Sequence, residues 1–543
     1  MDFVRSALAA VRILLLAATL SAMAPTGAGA ATGMTSIFQD DPHLIADPQG
    51  VLAQLRVLGA TTIKVGVRWS TIAPSPNSRT RPRGFHAGDP GARGYNWRII
   101  DPIVRDAAAD GIQVNFNLGN AAPLWATGPG APRDGQRHYN WEPSAGEFGQ
   151  FVAAVGKRYS GSYRPAGAST PLPRISSWSI WSEPNLGYSI APQGVPGDLT
   201  IENSGRLYRN LLAAAWASLG ATHHGPSTDT IMIDELAPRG NDYFGVFAPM
   251  KPLQFLRALY CVDSRYRPLR GSAAAIRGCP TTAAGSRRFR AQNPALFNAN
   301  GVSDHLWARW YPPNEDPQHD PDYAGLPDLG QFERALDRLQ RVYGSGRKLP
   351  IYNTEFGYIT NPPNHSDPFV SPTTASYYLN WAEYLSWRSS RVRSFSQYLL
   401  EDPPPNPGLY TGWSSGLLTY QGKPKATYDA WRLPLYLPAT ASRRGRSLEV
   451  WGCARPSRYA MLDGGGPQTV AIQFATGSRS TFTTVRTVTL TTPTSCYFDT
   501  RVTFPASGTV RLEWQYPAND PRLGNFGPSQ GTVYSRTVQI TLR

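Results

Sequence analysis

The chain is poor in lysine, in cysteine and in unbroken apolar runs. Only 6 of its 53 basic residues are Lys, and the 47 Arg are scattered with no block of like charge. The formal net charge is +15. A nucleic-acid reader carries a basic stripe or a reading motif as well, and neither is present, so no nucleic-acid partner is expected. Richness in Arg, Ala, Pro and Gly reads as coding bias rather than as attraction to an anionic polymer. Past residue 30 no apolar run approaches the ~20 residues that cross a bilayer, so no membrane span is expected there. Internal repeats of roughly 20–50 residues and long low-complexity tracts are also missing.

The first 30 residues are different. Arg5 and Arg12 precede the apolar stretch "ILLLAATLSAMA", and Ala28-Gly29-Ala30 gives an A-x-A cleavage pattern. This is the layout of a secretory signal removed after Ala30, so a secreted, extracellular protein is expected. In that setting four cysteines suggest two disulfides. Cys261, Cys279, Cys453 and Cys496 allow three connectivities. Local pairing, Cys261–Cys279 and Cys453–Cys496, is expected because each pair lies within one stretch of chain. Their spacings do not fit a zinc site. No metal and no cofactor are expected.

Hydrophobic residues make up 41% and aromatics 11% of 543 residues, enough for more than one core. From about 35 to 435, short β-rich runs alternate with helical patterns. Strands are expected at 35–40, 61–70, 112–120, 175–183, 230–238, 301–313, 349–358 and 392–400. Eight strands alternating with helices predict an α/β fold, a (β/α)₈ TIM barrel over 31–438. After "ATASRRGRS" (439–447) helical periodicity stops. "TVAIQFAT", "RTVTLTT", "DTRVTFPA", "TVRLEWQY" and "RTVQITLR" alternate apolar and polar residues. A small antiparallel β-sandwich is expected over 439–543.

In such barrels chemistry gathers at the C-terminal strand ends. Two carboxylates stand there: Glu183 in "WSEPN", ending the fourth strand, and Glu355 in "NTEFG", ending the seventh. Paired carboxyls suit glycosidic cleavage, where one donates a proton and the other attacks or activates water. A negative charge beside a carboxyl raises its pKa, which separates the two roles. A G-x-S-x-G elbow at 412–416, "GWSSG", would make Ser414 a nucleophile. It needs a later His, and the last His is His365.

With these motifs the chain resembles the retaining glycoside hydrolases of the large (β/α)₈ clan that holds cellulases, mannanases and β-galactosidases. The likeness spans about 35–435 and extends to "PLWA" (123–126) and "GLLTYQGKPKATYDAW" (416–431). It implies that Glu183 is the acid/base and Glu355 the nucleophile. The clan places Asn before the acid, to hold the sugar 2-hydroxyl. Here Ser182 stands there, and Asn185 is the candidate to compensate. Position also implies substrate-side roles for Arg68, His305 and Tyr311 near the nucleophile, and for Trp125, Trp310 and Trp413 as stacking surfaces. Asp234 and Glu235 end the fifth strand without an assigned role. In the sandwich, Trp451 and Trp514 are either core or binding platforms. The expected partner is a carbohydrate. The rival expectation is a non-catalytic carbohydrate-binding or wall-associated protein that keeps the cleft.

Overall fold

The computed structural model describes residues 33–131, 137–364, 368–405, 412–477, 481–517 and 531–543. The expected signal segment lies outside them. Eight parallel strands close into a barrel: β1 (Thr35–Gln39), β2 (Thr62–Arg68), β3 (Gln113–Gly119), β4 (Ser177–Ile180), β5 (Thr230–Leu236), β6 (Gly301–Asp304), β7 (Ile351–Asn353) and β8 (Val392–Tyr398). Each pairs with its sequence neighbours, and β8 returns to β1 through Thr35↔Ser394 to Gln39↔Tyr398. All eight expected strands are present. No helix among the described residues is long and apolar enough to cross a membrane.

Local chemistry explains the first βα unit. Asp47 caps helix Pro48–Val57 by accepting from Gly50 N at 3.0 Å, and Pro48 sits at the first helical position, where its missing N–H costs nothing. The helix buries Val51, Leu52 and Leu55. It ends at Gly59, at φ +76°, where a Cβ would stand 2.3 Å from the Arg455 backbone. Only glycine meets both the left-handed turn and the close approach.

Strands β4, β6 and β7 are shorter than their sequence runs, because the chain bends as soon as it reaches the mouth. After Ile180, Trp181 (φ +66°) and Glu183 (φ +46°) adopt left-handed backbone. Such residues are strained and persist where the surroundings fix them. Trp181 N donates to Leu118 O at 2.7 Å, Glu183 N to Glu235 O at 2.8 Å, and the buried Trp181 ring to Ser189 O at 3.2 Å. On β5, three steps from Ile233 to Leu236 match two on β6, from Val302 to Asp304. The extra residue is a bulge, with Asp234 at φ +83° and Glu235 at φ +45°, a device common beside active sites.

The C-terminal part forms two sheets around one core. The first comprises β9 (Leu435–Tyr436), β11 (Leu448–Cys453) and β14 (Tyr497–Val502). In the second the order is β10 (Ala441–Ser442), β17 (Val538–Leu542), β15 (Gly508–Gln515), β12 (Gln468–Ala475) and β13 (Thr483–Leu490), with β16 (Thr532–Tyr534) on β15. Pairing is antiparallel except between β10 and β17. Both disulfides join the expected partners, Cys261–Cys279 and Cys453–Cys496.

The sheets are fixed to the barrel. Trp451 is fully buried against Tyr384 and Trp387 of helix Pro372–Arg388. Arg455 grips Glu383 of that helix with two 2.7 Å hydrogen bonds, and Tyr497 donates to the same carboxylate. The hydroxyl of Tyr459 donates to Ala60 O, and that of Tyr516 to Val57 O. Trp451 and Trp514 are both core residues, so neither is a surface platform.

Candidate active site

Glu183 follows the end of β4 and Glu355 the end of β7, each with its side chain 17% exposed. Between them stands His305, the residue after β6, buried at 1% exposure and anchored by its N–H to Leu236 O. One carboxylate oxygen of each Glu and a ring nitrogen of His305 all lie within 4.8 Å of one another. His305 Nδ1 is 2.9 Å from Glu183 Oε1 and 3.8 Å from Glu355 Oε1. The other oxygen of Glu183 accepts from the hydroxyl of Tyr188, an exposed residue on the following loop.

Behind His305 lies a buried charge cluster. Its Nε2 is 2.8 Å from Glu235 Oε2. That oxygen also receives Lys64 Nζ at 2.6 Å and Thr354 Oγ1 at 3.0 Å. Lys64 and Glu235 are 1% and 0% exposed. Burial would push Glu235 up, but the Lys64 and His305 charges outweigh it and hold the carboxyl well below its usual range. Burial lowers His305, yet Glu355, Glu183 and Glu235 together drive it up to about 10, against the opposition of Lys64. Burial raises Glu355, assisted by Glu183 and Glu235 and resisted by His305 and Lys64. Two cations thus face three carboxyl groups.

That triangle is the one place among the described residues where three possible metal ligands converge. The imidazolium that its surroundings favour offers no lone pair to a cation.

The remaining sequence candidates divide. Ser182 is half-buried, its carbonyl accepts from Ser189 Oγ, and its own hydroxyl has no protein partner among the described residues. Asn185 is not at the cleft. It is fully buried, with Nδ2 donating to Ala237 O and Met250 O and Oδ1 accepting from Ala237 N. Every polar atom of its amide is used, so it has nothing to offer a sugar. Arg68 forms no ion pair with Glu355. It is exposed and lines a cavity of about 300 Å³ with Gln39, Asp41 and Tyr398. Lys64, four residues earlier on β2, is the strand's cation inside the barrel.

Tyr311 does not reach Glu355; it packs on Trp310 at 5.6 Å and accepts from Tyr358 through its carbonyl. Trp310 lies under the Arg309 guanidinium. Trp125 is buried, edge-on to Trp69, with its N–H on Pro74 O. Trp413 is 49% exposed and leans on Trp307 at 5.1 Å and Tyr398 at 6.4 Å. Trp307 itself stacks on Phe356, next to Glu355. An aromatic wall therefore flanks the Glu355 side.

No family model and no curated protein matches the chain. Among solved structures it is similar to a glucosidase from Croceicoccus marinus, at 12% identity and TM-score 0.46, over 89% of this chain and 95% of that one. It is also similar to a family 39 glycoside hydrolase from Bacteroides cellulosilyticus WH2, at 13% identity and TM-score 0.47, over 88% and 81%. A third is a family 51 alpha-L-arabinofuranosidase from Bifidobacterium longum, at 12% identity and TM-score 0.38, over 88% and 97%. Likenesses this distant transfer no activity, and the barrel stands on its own strand pairing.

Proposed function

We propose that the protein is a retaining glycoside hydrolase that cleaves O-glycosidic bonds of a poly- or oligosaccharide. The observation that carries this reading is the convergence of Glu183 and Glu355, with oxygens within 4.8 Å. Carboxyls about 5–5.5 Å apart suit direct attack on the sugar, whereas inversion needs about 6.5–9.5 Å to admit a water. Glu355 attacks the anomeric carbon while Glu183 protonates the leaving oxygen. A glycosyl-enzyme forms on Glu355, and Glu183 then takes a proton from the incoming water. Trp413 and the free hydroxyl of Ser182 are the substrate contacts that fit this arrangement. Two disulfides suit an exported protein, in line with the secretory pattern at 1–30.

The test is a panel of plant and microbial polysaccharides and aryl glycosides given to the parent, Glu183→Gln and Glu355→Gln. The product anomer is read by NMR before it mutarotates. Activity in the parent alone, with retained configuration, is the expected result. An inverted product would remove Glu355 as nucleophile. Polymer binding by all three chains without turnover would replace the enzyme reading with a non-catalytic one.

A further inference from the structure

The buried cluster behind Glu183 constrains where one proton can be. Glu235 Oε2 collects Lys64 Nζ, Thr354 Oγ1 and His305 Nε2 within 3.0 Å. An ammonium only donates, so Lys64 faces that oxygen with an N–H. A bare Nε2 at 2.8 Å would set two lone pairs against each other, so Nε2 carries hydrogen. Lys64 Nζ is also 3.2 Å from Nε2, a like-charge contact tolerated because both donate to the same oxygen. With Nε2–H fixed, His305 has one variable position, Nδ1, and it points at Glu183 Oε1.

We propose that Lys64 and Glu235 are positioning residues that lock His305 in the Nε2–H form, so that a single proton shared between His305 Nδ1 and Glu183 Oε1 arms the acid. At rest the proton sits on Nδ1, as imidazolium beside an ionised Glu183. When a sugar covers the site it moves along the 2.9 Å hydrogen bond to Oε1, leaving neutral imidazole and a carboxylic acid. No charge is gained or lost in the transfer. The charged groups facing His305 are Glu183 from the β4 end, Glu235 on β5, Glu355 from the β7 end and Lys64 on β2, with Asp304 beside it in the chain. Tyr188 occupies the outer oxygen of Glu183; an incoming leaving group displaces it, and the carboxyl then turns about its Cγ–Cδ bond so that the protonated oxygen leaves Nδ1 and delivers its proton to the leaving oxygen. The role of Lys64 and Glu235 rests on reading Glu183 as the acid/base. The state of the His305 ring does not, so the two can fail separately.

The test is nitrogen-15 NMR of the histidine rings in the full chain, labelled on His, with the His305 signals identified by their loss in His305→Asn. The parent should show both His305 nitrogens protonated at pH 7 and beyond pH 8. In Glu235→Gln the ring's titration should fall by at least two pH units. Should that variant fail to fold, Lys64→Met/Glu235→Gln removes the buried charges together, and its ring should populate both neutral forms at high pH. On any glycoside the parent cleaves, the alkaline limb of kcat/KM should fall with the ring's titration while KM holds. A purely structural role would lower the rate without moving the limb. A parent ring that is neutral at pH 7 with a bare Nε2, or nitrogen shifts unchanged in the folded variants, overturns the proposal. If no glycoside is cleaved but the ring behaves as stated, the function falls and the locked ring stands.

Discussion

Replacing Asp234 with Asn should stabilise the protein, and far more at neutral pH than in acid. Asp234 is fully buried, and neither carboxylate oxygen has a hydrogen-bond partner. Burial raises its pKa to about 8, against an ordinary value of ~3.9. Below pH ~3.9 the carboxyl is protonated in the folded and unfolded chains alike, and it costs nothing extra. From there to about pH 8 the unfolded chain releases the proton while the folded chain keeps it. Each pH unit therefore removes ~1.4 kcal/mol of stability. By pH 7 the loss is on the order of 4 kcal/mol if no neighbour relaxes, and about 2–4 kcal/mol is a fair expectation. Asn has the same shape, does not ionise and tolerates the φ of +83° as Asp does. The assay is thermal unfolding of parent and Asp234→Asn at pH 4 and at pH 7.5. The variant's advantage should be near zero at the first and clear at the second. An advantage independent of pH, or a variant less stable at pH 7.5, would refute the reasoning. Asp304, likewise buried and unpartnered and raised by burial, is the control that should respond the same way.

Three further outcomes are expected. Asn185→Ala should destabilise by about 1–3 kcal/mol, because it leaves buried carbonyls of Ala237 and Met250 unpaired, with no change in KM for a cleaved glycoside; denaturant melts and steady-state kinetics check both halves. Trp413→Ala should do the reverse, raising KM while holding stability within about 0.5 kcal/mol, as expected of an exposed ring. Opening Cys453–Cys496, which are 43 residues apart, should cost about 4 kcal/mol on loop-closure grounds, and opening Cys261–Cys279, 18 apart, about 3 kcal/mol; paired Cys→Ser melts would show the order.

The barrel was legible because each strand run is short, apolar and punctuated, and each following segment keeps a helical period. The cysteine pairing was legible for a similar reason, since both loops are local. The carboxylates were found through strand-end position, which the closed barrel turns into proximity. What escaped was orientation within a strand. In "TTIKVGVRW", Arg68 is the conspicuous cation, yet at the rim it is exposed and forms no ion pair with Glu355. Lys64 looks like an interruption in an apolar run, and only the barrel's closure shows it meeting Glu235 on β5. A charged residue amid a buried strand was the available signal. Asn185 sits two residues from the acid, so sequence suggested the cleft, but its amide is consumed by loops that lie 52 and 65 residues further along.

The way the C-terminal sheets close over the first βα unit also governs when the fold can form. β1 finds its outer partner only with Ser394–Tyr398, and the backbone at Val57 and Ala60 is capped by hydroxyls from Tyr516 and Tyr459. A chain made from its N-terminus must therefore carry its first strand and helix unfinished through nearly its whole synthesis. The last hundred residues act as a latch on the first thirty of the barrel. Assembly is a late event involving both ends at once: a chain cut short before β8 is left with an open edge, and one cut between β8 and the latch with an uncovered helix.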